Sequence, residues 1–245
     1  MKRGSAFAVF IFAFALAWTP SQLAQRRPAR ARVRMVETGG VFHGDEVSAR
    51  TGEIWLGLYV SKGGSSLVPS VVKVEAAEDP VGGGGPGNKS GKVVSVNRKA
   101  TPVFLITGGH ALKPGPVVTS YVGETKLNDD SNVTVRLAGA EYGLRVTAAR
   151  KSTIPGVTSD DAKLILSKGT LTQVVYDLGG DGGHEAETAD WKLLWAGDLD
   201  GDRRLDLYVQ VSGHYDIIER KLFLSSRARP KQLVRELAEF STSGC

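Results

Sequence analysis

The sequence predicts a mainly β protein, folded as an antiparallel β sandwich or a partial propeller-like β domain with one metal-binding β-hairpin loop. Three observations carry that prediction. Apolar residues come in short runs rich in β-branched and aromatic side chains; clusters of Gly, Pro, Asn and Asp separate the runs; and one acidic loop lies between two strand-like runs, the second alternating with period two. With 245 residues and 30 glycines, the chain is long enough for one good core and rich in turns.

In chain order, residues 1–25 read as a secretory signal. Lys2 and Arg3 precede an unbroken apolar run of 13 residues at 6–18, then a polar stretch. The run is shorter than the roughly 20 residues a spanning helix needs, so it fits a cleaved segment that leaves no stable membrane span. The expected location is secreted or periplasmic. Arg26, Arg27, Arg30, Arg32 and Arg34 follow, and residues 26–40 read as a basic disordered arm. Residues 1–34 hold 7 of the 31 basic side chains and none of the 26 acidic ones, so 24 against 26 leaves the rest at −2. A nucleic-acid partner is therefore not expected.

Residues 41–245 read as a single β-rich domain. Strands are expected at 53–60, 71–74, 92–96, 103–107, 117–122, 133–137, 144–148, 164–166 and 171–176. Residues 78–91, with four consecutive glycines, read as a flexible Gly-rich loop. Only residues 230–240 (PKQLVRELAEF) suggest a helix, because Leu233, Leu237 and Phe240 share a helical face behind Pro230; an edge strand is the alternative.

The chemistry concentrates at residues 191–212, WKLLWAGDLDGDRRLDLYVQVS. Asp198, Asp200, Asp202 and Asp206 occupy positions 1, 3, 5 and 9 of a short loop. Alternate side chains of a tight loop turn inward, so these carboxylates converge while Leu199 and Leu205 turn away. The backbone carbonyl of Arg204, at position 7, adds a further oxygen. Such a set suits Ca²⁺, which takes about 6–8 oxygen ligands. Leu205, Leu207, Val209 and Val211 then alternate with polar residues, as in a half-buried strand. An EF-hand is excluded, since its loop needs flanking helices and a Glu at position 12, where this chain has Val209.

The stretch AGDLDGDRRLDLYV resembles the calcium loop of FG-GAP and VCBS-type repeats, matching at Asp198, Asp200, Gly201, Asp202 and Asp206. It departs at Arg203, where the family usually places a second glycine; left-handed backbone there costs a non-glycine about 1–2 kcal/mol. The resemblance implies a non-enzymatic binding or surface module with a protein or carbohydrate ligand, its metal structural. A small secreted hydrolase with dispersed catalytic residues is the alternative.

Weaker features complete the reading. Asp177, Asp181 and Glu185 form a degenerate copy of the loop lacking position 3, so Asp181→Ala is expected to leave Ca²⁺ binding unchanged. His43, His110, His184 and His214 lack zinc-ligand spacing and read as turn or surface residues. No nucleophile elbow or phosphate loop appears, and no catalytic residue is assigned. Cys245, the only cysteine, has no intramolecular partner and invites an intermolecular disulfide.

Overall fold

A computed structural model describes residues 32–79, 87–109, 112–129, 131–148, 159, 161–181, 190–213 and 216–243. The signal segment, Arg26 to Arg30, His110, His184, His214, Glu185 and Cys245 lie outside the described residues, as does the side chain of Asp181.

Among the described residues fifteen strands form two antiparallel sheets. The first half of the chain contributes β1 (Arg34–Val36), β2 (Val41–Phe42), β3 (Ile54–Ser61), β4 (Gly64–Ala77), β5 (Gly91–Val96), β6 (Leu105–Thr107) and β7 (Gly115–Leu127). Next come β8 (Asn132–Leu137), β9 (Ala140–Thr147), β10 (Lys163–Lys168) and β11 (Leu171–Asp177). The chain continues through β12 (Asp190–Asp198), β13 (Asp206–Ser212), β14 (Ile217–Leu224) and β15 (Arg235–Ser243). The larger sheet runs β1-β6-β3-β4-β7-β12-β13-β14-β15, with β2 and β5 branching from β4, and curls into a nearly closed, barrel-like wall. The smaller sheet runs β11-β10-β9-β8.

The β class is as the sequence predicts, and the runs of β-branched and aromatic residues fall on strands. Local turn chemistry explains the hairpins. Ala138 and Gly139 join β8 to β9 with φ of 50° and 80°, the positive pair of a two-residue hairpin turn. Gly169 does comparable work between β10 and β11, at φ 55°.

Two apolar clusters fill the structure. One lies inside the curled sheet and includes Trp55, Leu58, Phe104, Ile106, Trp195 and Tyr208. The other lies between that sheet and the four-stranded one, and includes Tyr142, Leu144, Leu164, Trp191, Leu207 and Val209. β12 and β13 therefore have a core on each face. This corrects the half-buried reading of β13: all seven of its residues are buried, Gln210 and Ser212 among them. Its polar side faces a protein interior in which Gln210 donates to the Asp190 carboxylate at 2.8 Å and the Tyr208 hydroxyl donates to Glu37 at 2.5 Å.

Two further expectations are corrected. Residues 235–243 are a strand, β15, and among the described residues there is no α-helix. β14 offers a free edge, and β15 pairs along it from Ile217↔Ser243 to Leu224↔Arg235. That ladder, with Ala238 and Phe240 buried together, outweighs the helical spacing of Leu233, Leu237 and Phe240. Nor is the arm disordered through residue 40: β1 pairs with β6, and Met35 and Val36 are buried.

Candidate metal centre

The acidic loop closes the β12–β13 hairpin. Asp198 ends β12, Asp206 begins β13, and Gly197 pairs with Asp206. Leu199 and Leu205 turn away as expected, Leu199 into the interior cluster and Leu205 into the inter-sheet one. These two anchors hold the loop ends so that the carboxylates between them share one side.

Gly197 sets how closely this hairpin docks on β7. A Cβ there would lie 2.1 Å from the Val118 carbonyl oxygen. Backbone cannot yield as a flexible side chain does, so Gly197→Ala is expected to cost at least about 3 kcal/mol. Urea unfolding measures this; a loss below about 1 kcal/mol would show that β7 accommodates the methyl.

Ligand oxygens of Asp198, Asp200 and Asp206 lie within 4.8 Å of one another. Asp198 accepts the backbone N–H groups of Gly201 at 2.8 Å, Asp202 at 3.1 Å and Arg203 at 2.9 Å. Asp206 accepts Leu199 N–H at 2.7 Å on Oδ2, and Ser225 N–H at 2.8 Å on Oδ1. The Asp200 Oδ2 accepts the Ser226 hydroxyl, whereas its Oδ1 is buried and receives no hydrogen bond among the described residues.

The Asp202 carboxylate is placed differently from the expectation. The Asp202 carboxylate turns to the Arg204 guanidinium, 2.9 Å from Nε and 2.6 Å from Nη2, and to the Ser225 hydroxyl at 2.9 Å. Arg204 thus stands at the rim as a counter-charge. Ser225 has one hydroxyl proton and lies within reach of both Asp202 and Asp206, so it serves one at a time.

Burial raises Asp206 to about 7, against the lowering effect of its backbone donors and with the Asp200 charge adding to the rise. Asp200 is also raised, by burial first and then by the Asp202 and Asp198 charges. Without a counter-ion Asp200 and Asp206 resist ionisation.

Arg203 adopts φ 63°, the left-handed backbone its family-like position demands, with its side chain in solvent. Arg203→Gly is expected to stabilise the protein by about 1 kcal/mol, since it removes that strain from an exposed site. Chemical denaturation in EDTA checks this; a loss of stability would mean that the arginine side chain outweighs its backbone cost.

Sequence reasoning missed Ser225 and Ser226, which reach the loop from the 3-10 turn Ser225–Arg227 after β14. No local pattern signals a hydroxyl brought in from 19 to 26 residues away. It also missed a buried polar group on the neighbouring strands. Glu37 pairs with Arg220 and accepts the Tyr208 hydroxyl beside a cavity of about 270 Å³, which Glu124, Leu194 and Val103 also line.

No family model, curated protein or solved structure matches this chain. The candidate metal centre rests on its own donors, and the likeness to FG-GAP and VCBS loops on the motif residues alone.

Proposed function

We propose that this is an exported β protein whose 198–206 loop binds Ca²⁺ through Asp198, Asp200 and Asp206, with the Arg204 carbonyl, and Asp202 once it leaves the Arg204 guanidinium, as further oxygens. The observation that carries the reading is the Asp200 Oδ1, buried with no donor among the described residues, in a group of carboxylates whose ligand oxygens lie within 4.8 Å of one another. Two oxygens on opposite sides of a Ca²⁺ ion stand roughly 4.6–5.2 Å apart, so one ion fits among these three groups. Because the ligands come from the ends of two strands shared by both cores, the ion's role is structural, and its binding energy adds to folding.

The biological task is binding. The protein presents a surface to a protein or carbohydrate ligand, as the loop's likeness to FG-GAP and VCBS modules suggests. The net charge of −2 beyond residue 34 argues against nucleic acid. Among the described residues no helix is long and apolar enough to cross a membrane. The hydrolase alternative has weaker support. The carboxylates lining the 270 Å³ cavity are Glu37, paired with Arg220, and Glu124, beside Lys192.

Thermal unfolding in excess EDTA and then in millimolar Ca²⁺ tests the metal reading. At about 100 times the dissociation constant, binding adds about 2.7 kcal/mol, which raises the midpoint by roughly 5–10 °C. Asp200→Ala should abolish the rise, and Mg²⁺ should produce less of it because it demands a smaller, octahedral shell. An unchanged wild-type midpoint would remove Ca²⁺ from the account.

A further inference from the structure

The segment 41–46 lies across the branch formed by β4 and β5, and it is held by contacts unlike those of the surrounding sheet. Only two of its residues pair with β5, Val41 with Val93 and Phe42 with Lys92. Beyond them, His43 Nδ1 meets the Asp79 carboxylate at 2.6 Å; Asp79 is 5 % exposed and His43 19 %. Lys92 donates to the Gly44 carbonyl. Glu46 accepts the His43 N–H at 2.8 Å and the Ser243 hydroxyl at 2.8 Å, tying the segment to the end of β15, and Phe42 packs edge-on against Phe240 at 5.2 Å.

The seating is tight. A Cβ on Gly44 would lie 2.6 Å from the Ser90 carbonyl oxygen, and one on Gly91 would lie 2.8 Å from Val41 Cγ1. Residues 38–41 also line an open cavity of about 340 Å³, together with residues 93–96, Arg98 and Pro102. The Thr38 hydroxyl is buried with no hydrogen-bond partner among the described residues. An orphaned hydroxyl disfavours the closed arrangement, because water would satisfy it on opening. The segment is thus closed by a few polar contacts against a standing cost.

We propose that residues 41–46 are a pH-sensitive strap, latched by the His43–Asp79 pair, whose release lets water reach the buried Thr38 hydroxyl. The groups facing His43 are Asp79 from the end of β4, Asp45 and Glu46 from its own segment, and Lys92 of β5 through Gly44. The hydrogen bond to Asp79 holds the imidazole above its usual value of 6.5, aided by the charges of Asp79, Glu46 and Asp45. A raised histidine stabilises the closed state fully below 6.5, and that stabilisation is lost as pH rises through the higher folded-state value. The neutral ring keeps a hydrogen bond to Asp79 but no ionic attraction, and the Thr38 cost then weighs more heavily. The strap therefore loosens on the alkaline side.

Amide hydrogen exchange of the full chain, read on the 41–46 region and normalised to intrinsic exchange at each pH, tests the latch. Protection should fall several-fold between pH 6 and pH 8.5 in the wild type. His43→Gln and Asp79→Asn should each flatten that dependence. Thr38→Val should raise protection at every pH, and Gly91→Ala, which wedges Val41 away, should lower it at every pH. A wild-type profile that is flat, or a His43→Gln profile that still tracks the wild type, overturns the latch. Wild-type protection in Gly91→Ala overturns the seating on β5.

Discussion

Replacing Glu37 with Ala is expected to lower stability by roughly 3 kcal/mol, a fall of roughly 6–12 °C in the unfolding midpoint. The reason is what it leaves behind. Arg220 is 24 % exposed and Glu37 12 % exposed, and burial already pushes Arg220 below its ordinary value. Without Glu37 the guanidinium keeps, among the described residues, Gln210 Oε1 at 3.4 Å, and the buried Tyr208 hydroxyl loses its acceptor. Removing both charges is a different experiment. Glu37→Leu combined with Arg220→Met should recover much of the loss, because no uncompensated ion remains. Differential scanning calorimetry of both variants decides the matter. If Glu37→Ala cost under 1 kcal/mol, water would have to reach Arg220 more easily than its packing shows.

The ion-free protein is expected to lose stability as pH rises from about 4 to about 7, with Asp206 contributing up to about 4 kcal/mol. The sign follows from protons held. Asp206 is raised from 3.8 to about 7, so between those values the native state keeps a proton that the unfolded chain has released. Its stabilisation is complete below 3.8 and gone above about 7; Asp200 acts in the same direction. Ca²⁺ should cancel this slope, because it binds the deprotonated carboxylates and takes the place of the proton. The difference between urea curves in EDTA and in Ca²⁺ isolates the loop from other titrating groups, His43 among them. A difference that does not grow between pH 5 and pH 8 would count against Asp206 as a ligand.

What the sequence made legible was local. The period-two runs read as strands because each residue's neighbours decide that pattern. The Asp198–Asp206 spacing, the outward turn of Leu199 and Leu205, and the strain at Arg203 all follow from one short loop. What stayed hidden depends on partners far along the chain. Tyr208, Gln210 and Ser212 read as a solvent face, yet their side of β13 meets Glu37, Asp190 and Arg220 in an interior. The helical spacing in 230–240 gave way to the edge of β14, and no feature of the hairpin announces Ser225 or Ser226. The surface reading of His43 missed Asp79, 36 residues away.

The closure of the larger sheet has a consequence for biosynthesis. Glu37 meets Tyr208 across 171 positions of sequence, and Glu46 meets Ser243 across 197. β12 and β13 supply both cores, so the strands before them have no complete interior to join until the hairpin exists. The first half of a nascent chain therefore lacks those partners until the last strands are made. Such contacts also slow the final search, since long loops must close before they are rewarded.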